Sequence, residues 1–401
     1  MSPVLVAGGG PVGIITALAL AQRGIPVRVF ESASTVNDAP RASTLHPATL
    51  EMLADVGLLD EVVARGLVAR TFQFWDRPTS SVVAEFDHEI LKNDTPYPFV
   101  VQCEQHKIAN MGIARLKEFK HAEVTFSAPV TAINPQDDRV EITVEISGKP
   151  QTVSGSYLVG ADGGRSLVRK SLGIEFEGYT FPERFLVLTT LFDFATEHGV
   201  AYRAYFSDPD EWTNLFKVAG DDGKGRWRAV FPTLPGQTDE EVLNEAATEA
   251  RLQKFFPKAG RYEIVHRNIY SVHQRVAAHF RHGRVFLAGD SAHVNNPIGG
   301  LGLNCGIHDA AHLARLLSSV LREERPASDL DSYDAVRRPM NIEYVQQQTI
   351  ANKKRLEEKD PAVRQANFDN LRRMAADPAE HRAFLMRTSL LESVRKQKAT
   401  A

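Results

Sequence analysis

Three closely spaced glycines set the first constraint. Gly8, Gly10 and Gly13 follow a short apolar run, Val4 to Ala7, and open a stretch rich in Ala, Leu and Ile from Pro11 to Gln22. The run reads as a strand and the stretch as a buried helix, with Pro11 at its first turn where a missing N–H costs nothing. Val27 to Phe30 is a second strand, and it ends at Glu31. Inside such a β–α–β unit the G-x-G-x-x-G spacing has a mechanical sense. Gly8 permits a tight turn, Gly10 lets backbone approach a pyrophosphate, and Gly13 lets the helix pack close to the strand. Pro11 and Val12 belong to the same seat. The helix start offers free N–H groups and a positive dipole end to phosphate oxygens. Glu31 can accept hydrogen bonds from both hydroxyls of an adenosine ribose, which fits FAD or NAD and argues against NADP in this seat.

The chain has 401 residues, 43% of them hydrophobic, which is enough for two or more packed domains. A net charge of −3 gives no reason to expect nucleic acid or an anionic membrane as partner. Two cysteines, Cys103 and Cys305, do not make a disulfide framework, and a reducing compartment is expected. No apolar stretch approaches the roughly 20 residues needed to span a bilayer. Met1-Ser2-Pro3 carries no basic segment, so no secretory signal is expected and the cytoplasm is the expected location.

Two later strands end in similar chemistry. Tyr157 to Val159 runs into Gly160-Ala161-Asp162-Gly163, and Val285 to Ala288 runs into Gly289-Asp290. Between them, from about 174 to 280, short alternating and β-branched runs predict an antiparallel sheet inserted into the parallel one. After about 328 the chain turns charged and helical, as a C-terminal layer or a dimer arm, so a homodimer is one expected state. The predicted fold is α/β: a Rossmann-like dinucleotide-binding domain (1–75, 98–170 and 283–330), which the resemblance described next makes the FAD-binding domain, an antiparallel-sheet substrate domain (76–97 and 171–282) and a helical region (331–401).

The motifs in this order resemble those of the class A FAD-dependent aromatic hydroxylases, the para-hydroxybenzoate hydroxylase-like monooxygenases. Gly160 to Ser166 with Val168-Arg169 resembles the family's Asp-Gly motif. Gly289 to His293 with Pro297 to Asn304 is similar to its Gly-Asp motif and flavin loop, and Pro40-Arg41-Ala42 to its early arginine segment. The resemblance runs from residue 1 to about 340.

It implies FAD as cofactor, NADPH or NADH as reductant, and hydroxylation of a phenolic or hydroxylated N-heteroaromatic small molecule by O₂ through a C4a-hydroperoxyflavin. It implies that Glu31 binds the ribose and that Arg41 approaches the pyrophosphate or the flavin edge. Gln102 would touch the ribityl chain, and Val130 would place backbone beside the adenine. Asp162 would organise the loop facing the nicotinamide, and Asp290 would accept from ribityl hydroxyls. Gly300, Gly302, Leu303 and Asn304 would bring backbone N–H groups and a helix start to the pyrimidine edge of the flavin. Gly302 is also expected to need a conformation that a β-branched residue cannot adopt.

The sequence departs from many relatives at Gly300, where they have Gln, and at Asn296-Pro297, where they have two prolines. Asn296 is expected near the substrate face. The Pro297 carbonyl, Tyr202, Tyr205 and Arg228 are candidates for substrate contact. Tyr202 and Tyr205, three apart, face opposite sides of a regular strand, so at most one enters a pocket. Arg203 and Arg228 are each weighed between a substrate carboxylate and an ordinary surface position. The histidines His266, His273, His279 and His282 lack acidic or cysteine partners at metal-ligand spacing, so no metal is expected. His293 is read as support for its loop. Two rival readings are another flavoenzyme on this scaffold (a halogenase or reductase) and a flavin-binding sensor. A halogenase would carry a Trp-x-Trp-x-Ile-Pro segment, which Trp227-Arg228 does not supply.

Overall fold

A computed structural model describes residues 1–400. Val4–Ala7 (β1) lies at the centre of a six-stranded sheet with Val27–Phe30 (β2) beside it, ordered Arg281–His282, Val285–Leu287, Tyr157–Gly160, β1, β2, Ala122–Thr125. Its pairings are parallel except the Arg281–His282 hairpin. The helix between β1 and β2 (α1, Pro11–Ala21) is buried from Gly13 to Ala21, packed against the helices Gly302–Leu321 and Gln105–Leu116. Covered all round, it needs no polar face, and its sequence has none.

An eight-stranded sheet forms the second layer, in the order His293–Val294, Ile264–Ala277, Phe176–Thr190, Arg226–Pro232, Thr213–Val218, Arg203–Ser207, Thr71–Asp76, Ser81–Asp87. Its period-two alternation separates two cores. Leu186, Leu188, Leu215, Ala229 and Phe231 pack with Val242, Leu252 and Phe255 of the helices outside. Phe185, Val187, Tyr205 and Val230 point the other way, toward Ile298, Leu301 and the C-terminal helices. The expected inserted sheet is present, with two refinements. Strand Thr71–Asp76 belongs to it, so the sequence boundary at 75/76 cuts through a strand. That strand also pairs parallel with Arg203–Ser207.

The C-terminal helices form a layer of the same molecule. Phe368, Leu371, Leu385, Met386 and Leu391 are buried in one apolar cluster with Phe72 and Phe74. Arg364 ion-pairs with Asp76, and Asp94 receives Arg382 and Arg395. Within this layer Ile342–Gln346 is a π-turn joining the helices Asp331–Asn341 and Gln347–Leu356. Among the described residues no helix is long and apolar enough to cross a membrane.

Candidate cofactor and substrate site

The glycine turn divides its labour by space. A Cβ on Gly8, whose φ is +108°, would sit 2.3 Å from the Ala161 carbonyl oxygen, and one on Gly13 would sit 2.0 Å from that of Gly8. A Cβ on Gly10 would meet nothing within 4 Å. Two glycines thus permit chain packing, and the third keeps open a cradle at the start of α1. That start carries no side-chain cap, so its first-turn N–H groups are free for an anion. The Glu31 carboxylate closes one side, accepting from Gly9 N at 2.6 Å and Ala33 N at 2.9 Å. Val130 opens the strand beside it, and the neighbouring Ala128 N donates to the Glu31 carbonyl at 2.8 Å. Val12 directs its side chain inward, keyed against Gly289 and Gly306, so one residue ties the first motif to the third.

The Asp-Gly and Gly-Asp motifs are stitched together. Asp162 accepts from Ser166 Oγ at 2.5 Å and from Val168 N at 3.0 Å, closing the short helix Leu167–Ser171. Arg169 donates to the carbonyls of Ser291 at 2.8 Å and Gly164 at 2.9 Å. Asp290 opens onto the cleft, exposed yet ringed by protein. That crowding raises its carboxyl from the ordinary value against the pull of His293 and Arg41.

Beneath this turn lies a buried ionic network that sequence reasoning missed. Asp309 accepts from Gly289 N at 3.0 Å, His293 Nε2 at 2.7 Å and Arg337 Nε at 2.8 Å. Burial opposes every charge here, yet Arg337 and His293 together lower the Asp309 carboxyl. Cys305 and Asp309 raise His293 above its ordinary value. His293 therefore supports the loop, as a charged strut. His293, Cys305 and Asp309 place three ligand-type atoms within 4.8 Å of one another. Arg337, which also reaches Cys305 Sγ at 3.3 Å, already supplies the cation in that space. Asp309 sits in the run following the flavin loop, the one signal that pointed to it.

In the loop itself, Gly299 and Gly300 take positive φ, +112° and +67°, and a Cβ on Gly300 would lie 2.7 Å from Thr44 Cβ. Gly302 does not share this demand. It is the first residue of Gly302–Leu321, with ordinary negative φ, which corrects the expectation placed on it. Leu303 packs into the nucleotide-side core. The Asn304 side chain is fully engaged by protein, accepting from His46 N at 2.8 Å and donating to the carbonyls of Thr44 at 2.7 Å and Gly300 at 2.6 Å. Any cofactor contact at these positions is therefore through backbone.

The Pro297 carbonyl accepts from Gly300 N at 2.9 Å and keeps one lone pair. Asn296 is corrected: it is fully buried and turned away from the substrate face, donating to Gln274 Oε1 at 3.1 Å and accepting from Ile298 N at 3.2 Å. Gln274 in turn bonds Gln346 of the π-turn, so the C-terminal layer braces the loop.

Across the cleft, the inner face of the eight-stranded sheet is studded with polar groups. Strand register sets Arg203, Phe216, Arg228 and Thr189 side by side in one row, with Tyr205 and Asn214 in the next. Arg203 and Arg228 are both buried, which corrects the surface reading for both. Arg228 donates to the carbonyl of Arg41, itself exposed at the cleft mouth, at 2.9 Å. Its Nε, with Thr189 Oγ1 and Asn214 Oδ1, is buried without a partner. Tyr205 points into the pocket lined by Phe72, Phe74, Ile298 and Gly299. Tyr202 lies on the opposite face, edge-on to Trp227 and under Lys217, away from this pocket.

An FAD-type dinucleotide fits these residues on two structural observations. The Gly10 cradle is open where a Cβ would fill it. Gln102, fully buried, spends Oε1 on Thr44 Oγ1 at 3.0 Å and leaves Nε2 an unpaired donor. A buried amide donor without an acceptor is costly unless a ligand supplies one. The class so defined is a two-layer flavoprotein, with a dinucleotide seat under a substrate sheet.

Comparison with known proteins agrees. The family described as "FAD binding domain" matches residues 1–348. The para-nitrophenol 4-monooxygenase of Pseudomonas sp. (strain WBC-3) is 34% identical over 384 residues, 96% of this chain and 94% of that protein. The 6-hydroxy-3-succinoylpyridine 3-monooxygenase of Pseudomonas putida (strain DSM 28022 / S16) is 35% identical, covering 89% and 90%. The crystal structure of p-nitrophenol 4-monooxygenase from Pseudomonas putida DLL-E4 superposes with a TM-score of 0.91 at 33% identity, covering 96% of this chain and 97% of that one. The chain belongs to the class A FAD-dependent aromatic hydroxylases.

Proposed function

We propose that this flavoprotein hydroxylates a phenolic or hydroxylated N-heteroaromatic small molecule, with NADPH or NADH as reductant and O₂ as the oxygen source. Bound FAD supplies the redox chemistry, accepting two electrons from the nicotinamide and activating O₂ for transfer of one oxygen atom to the ring. The chain supplies binding, orientation and electrostatics. Glu31 accepts from the adenosine ribose, with the Val130 backbone beside the adenine, and the amides after Gly10 take the pyrophosphate with Arg41 near it. Gln102 Nε2 donates to the ribityl chain, and Asp290 accepts from it. Asp162 holds the loop on the nicotinamide side. Backbone N–H groups from Leu301 to Asn304, at a helix start, favour negative charge on the pyrimidine edge of the ring system, while Gly300 N–H closes the turn onto Pro297. The substrate ring lies between that loop and the sheet face, against Tyr205, with Arg228 and the free lone pair of the Pro297 carbonyl as its further candidate contacts. Tyr202 is withdrawn from this set.

The observation that carries the reading is the face-to-face placement of a dinucleotide seat and a sheet face holding buried, unpaired polar atoms. Every residue named comes from one chain, so the reading needs no second copy. It puts the enzyme where reduced nicotinamide is regenerated, the cytoplasm, which two buried free thiols suit. The test is a panel of phenols, hydroxybenzoates and hydroxypyridines, scored by stimulated NAD(P)H oxidation and by mass gain of the product. Stimulated oxidation with a product heavier by one oxygen is expected. A flavoprotein that is reduced at the same rate with and without every panel member, and yields no oxygenated product, would overturn it.

A further inference from the structure

Arg203 is a buried cation whose hydrogen bonds all go to neutral oxygens. Only 7% of it is exposed. Nε and Nη2 donate to the Tyr205 hydroxyl oxygen at 2.9 and 2.6 Å, and Nη2 also reaches the Gly299 carbonyl at 3.3 Å. Among the described residues no aspartate or glutamate lines the pocket these groups share. The ionisable groups packed around it do not supply a counter-charge. His46, before the helix Pro47–Asp55, and His88, in the turn His88–Leu91, are held neutral, chiefly by burial with Arg203 adding to the effect. The C-terminal helices contribute the uncharged Gln348, Asn352 and Thr388, and Arg355, which lies over Phe74. Arg228 stands two strands away in the same row. A buried charge left like this is strongly unfavourable unless a bound anion answers it.

The hydrogen bonding says where that anion sits. A phenolic oxygen has two lone pairs and one proton. With both Arg203 donors on its oxygen, Tyr205 must aim its own proton elsewhere, into the pocket. Resting on the functional reading above, we propose that Arg203 is a positioning residue that fixes Tyr205 as a donor and, through it, provides the counter-charge for a substrate bound as its phenolate. The substrate proton leaves to solvent on binding, and the ionised oxygen makes the ring a better partner for an electrophilic oxygen atom. Arg203 also reaches the Gly299 carbonyl at 3.3 Å, beside His46 Nε2 at 2.9 Å, so one side chain touches both the donor and the flavin loop.

The probe is 4-nitrophenol bound to the oxidised holoenzyme, since its phenolate absorbs visible light, with its methyl ether as a ligand that cannot ionise. The wild type should hold the phenolate at a pH where free 4-nitrophenol is mostly protonated. Arg203→Met should weaken binding of the phenolate about tenfold or more and raise the pH midpoint of the bound chromophore. Affinity for the ether should move by less than about twofold. Arg203→Lys should recover part of the loss, and Tyr205→Phe should shift the midpoint in the same direction. Equal losses for phenol and ether, or an unmoved midpoint, would overturn the proposal. If Arg203→Met does not fold, Arg203→Lys and Tyr205→Phe decide, and an unmoved midpoint in both overturns it. A wild-type holoenzyme that binds no phenol of the panel would instead overturn the functional reading itself.

Discussion

Gly10 and Gly13, three residues apart in one motif, should fail in different ways when each becomes alanine. A methyl on Gly13 would lie 2.0 Å from the Gly8 carbonyl oxygen, so α1 must move off β1 before the chain can close. Overpacking of this kind costs roughly 1–3 kcal/mol, and because the obstacle is backbone the upper end applies. Gly10 has φ −69° and ψ 177°, which alanine adopts freely, and its methyl would meet no protein atom. Losing glycine at an N-cap costs about 0.5 kcal/mol, and stiffening the unfolded chain returns a similar amount. The apoprotein should therefore keep its stability. The same methyl would stand in the pyrophosphate cradle, and losing one charge-assisted hydrogen bond there costs roughly 1.5–3 kcal/mol, or one to two decades in FAD affinity. Both variants can be unfolded in urea as apoproteins and titrated with FAD by quenching of flavin fluorescence. Gly13→Ala should lose stability, and Gly10→Ala only affinity. Wild-type FAD affinity in Gly10→Ala would refute the assignment of the cradle.

Asp290→Ala should weaken FAD retention by about one to two decades in a folded protein, read from the flavin lost on gel filtration. Gly300→Ala adds a methyl 2.7 Å from Thr44 Cβ at a φ of +67°, so it should lower the melting temperature and divert O₂ to H₂O₂. Gly302→Ala, at ordinary helical φ, should do neither to the same degree. His293 is raised to about 10 in the fold against 6.5 unperturbed, burial being outweighed by Cys305 and Asp309. Its charge therefore contributes fully below about pH 6.5 and is lost as pH rises through 10. Wild-type melting temperature should fall along that alkaline limb, and in His293→Gln the fall should be shallower; parallel curves would contradict the charged strut.

What the sequence disclosed depended on how local the cause was. The Gly8–Gly10–Gly13 spacing is legible because turn, approach and helix packing all lie within six residues of chain. Strand parity likewise separates Tyr202 from Tyr205 without any tertiary knowledge. The same parity puts Arg203 on the face of Tyr205, a signal passed over because arginines are mostly exposed. The strut under the Gly-Asp turn was not legible, since Asp309 meets partners 16 and 28 residues away across packed helices. Asn296 was misplaced because a loop sequence carries no face. Only the Gln274 side chain on a distant strand decides which way it turns.

The central claim is that this fold delivers one atom of O₂ to an aromatic ring. Turnover of an active panel substrate under isotopically labelled O₂, with the product analysed by mass spectrometry, tests it most directly. The account predicts one labelled oxygen per aromatic product, with NAD(P)H consumed in equal amount when coupling is complete. A product whose added oxygen comes from water, or an active substrate that gains no oxygen, would contradict it.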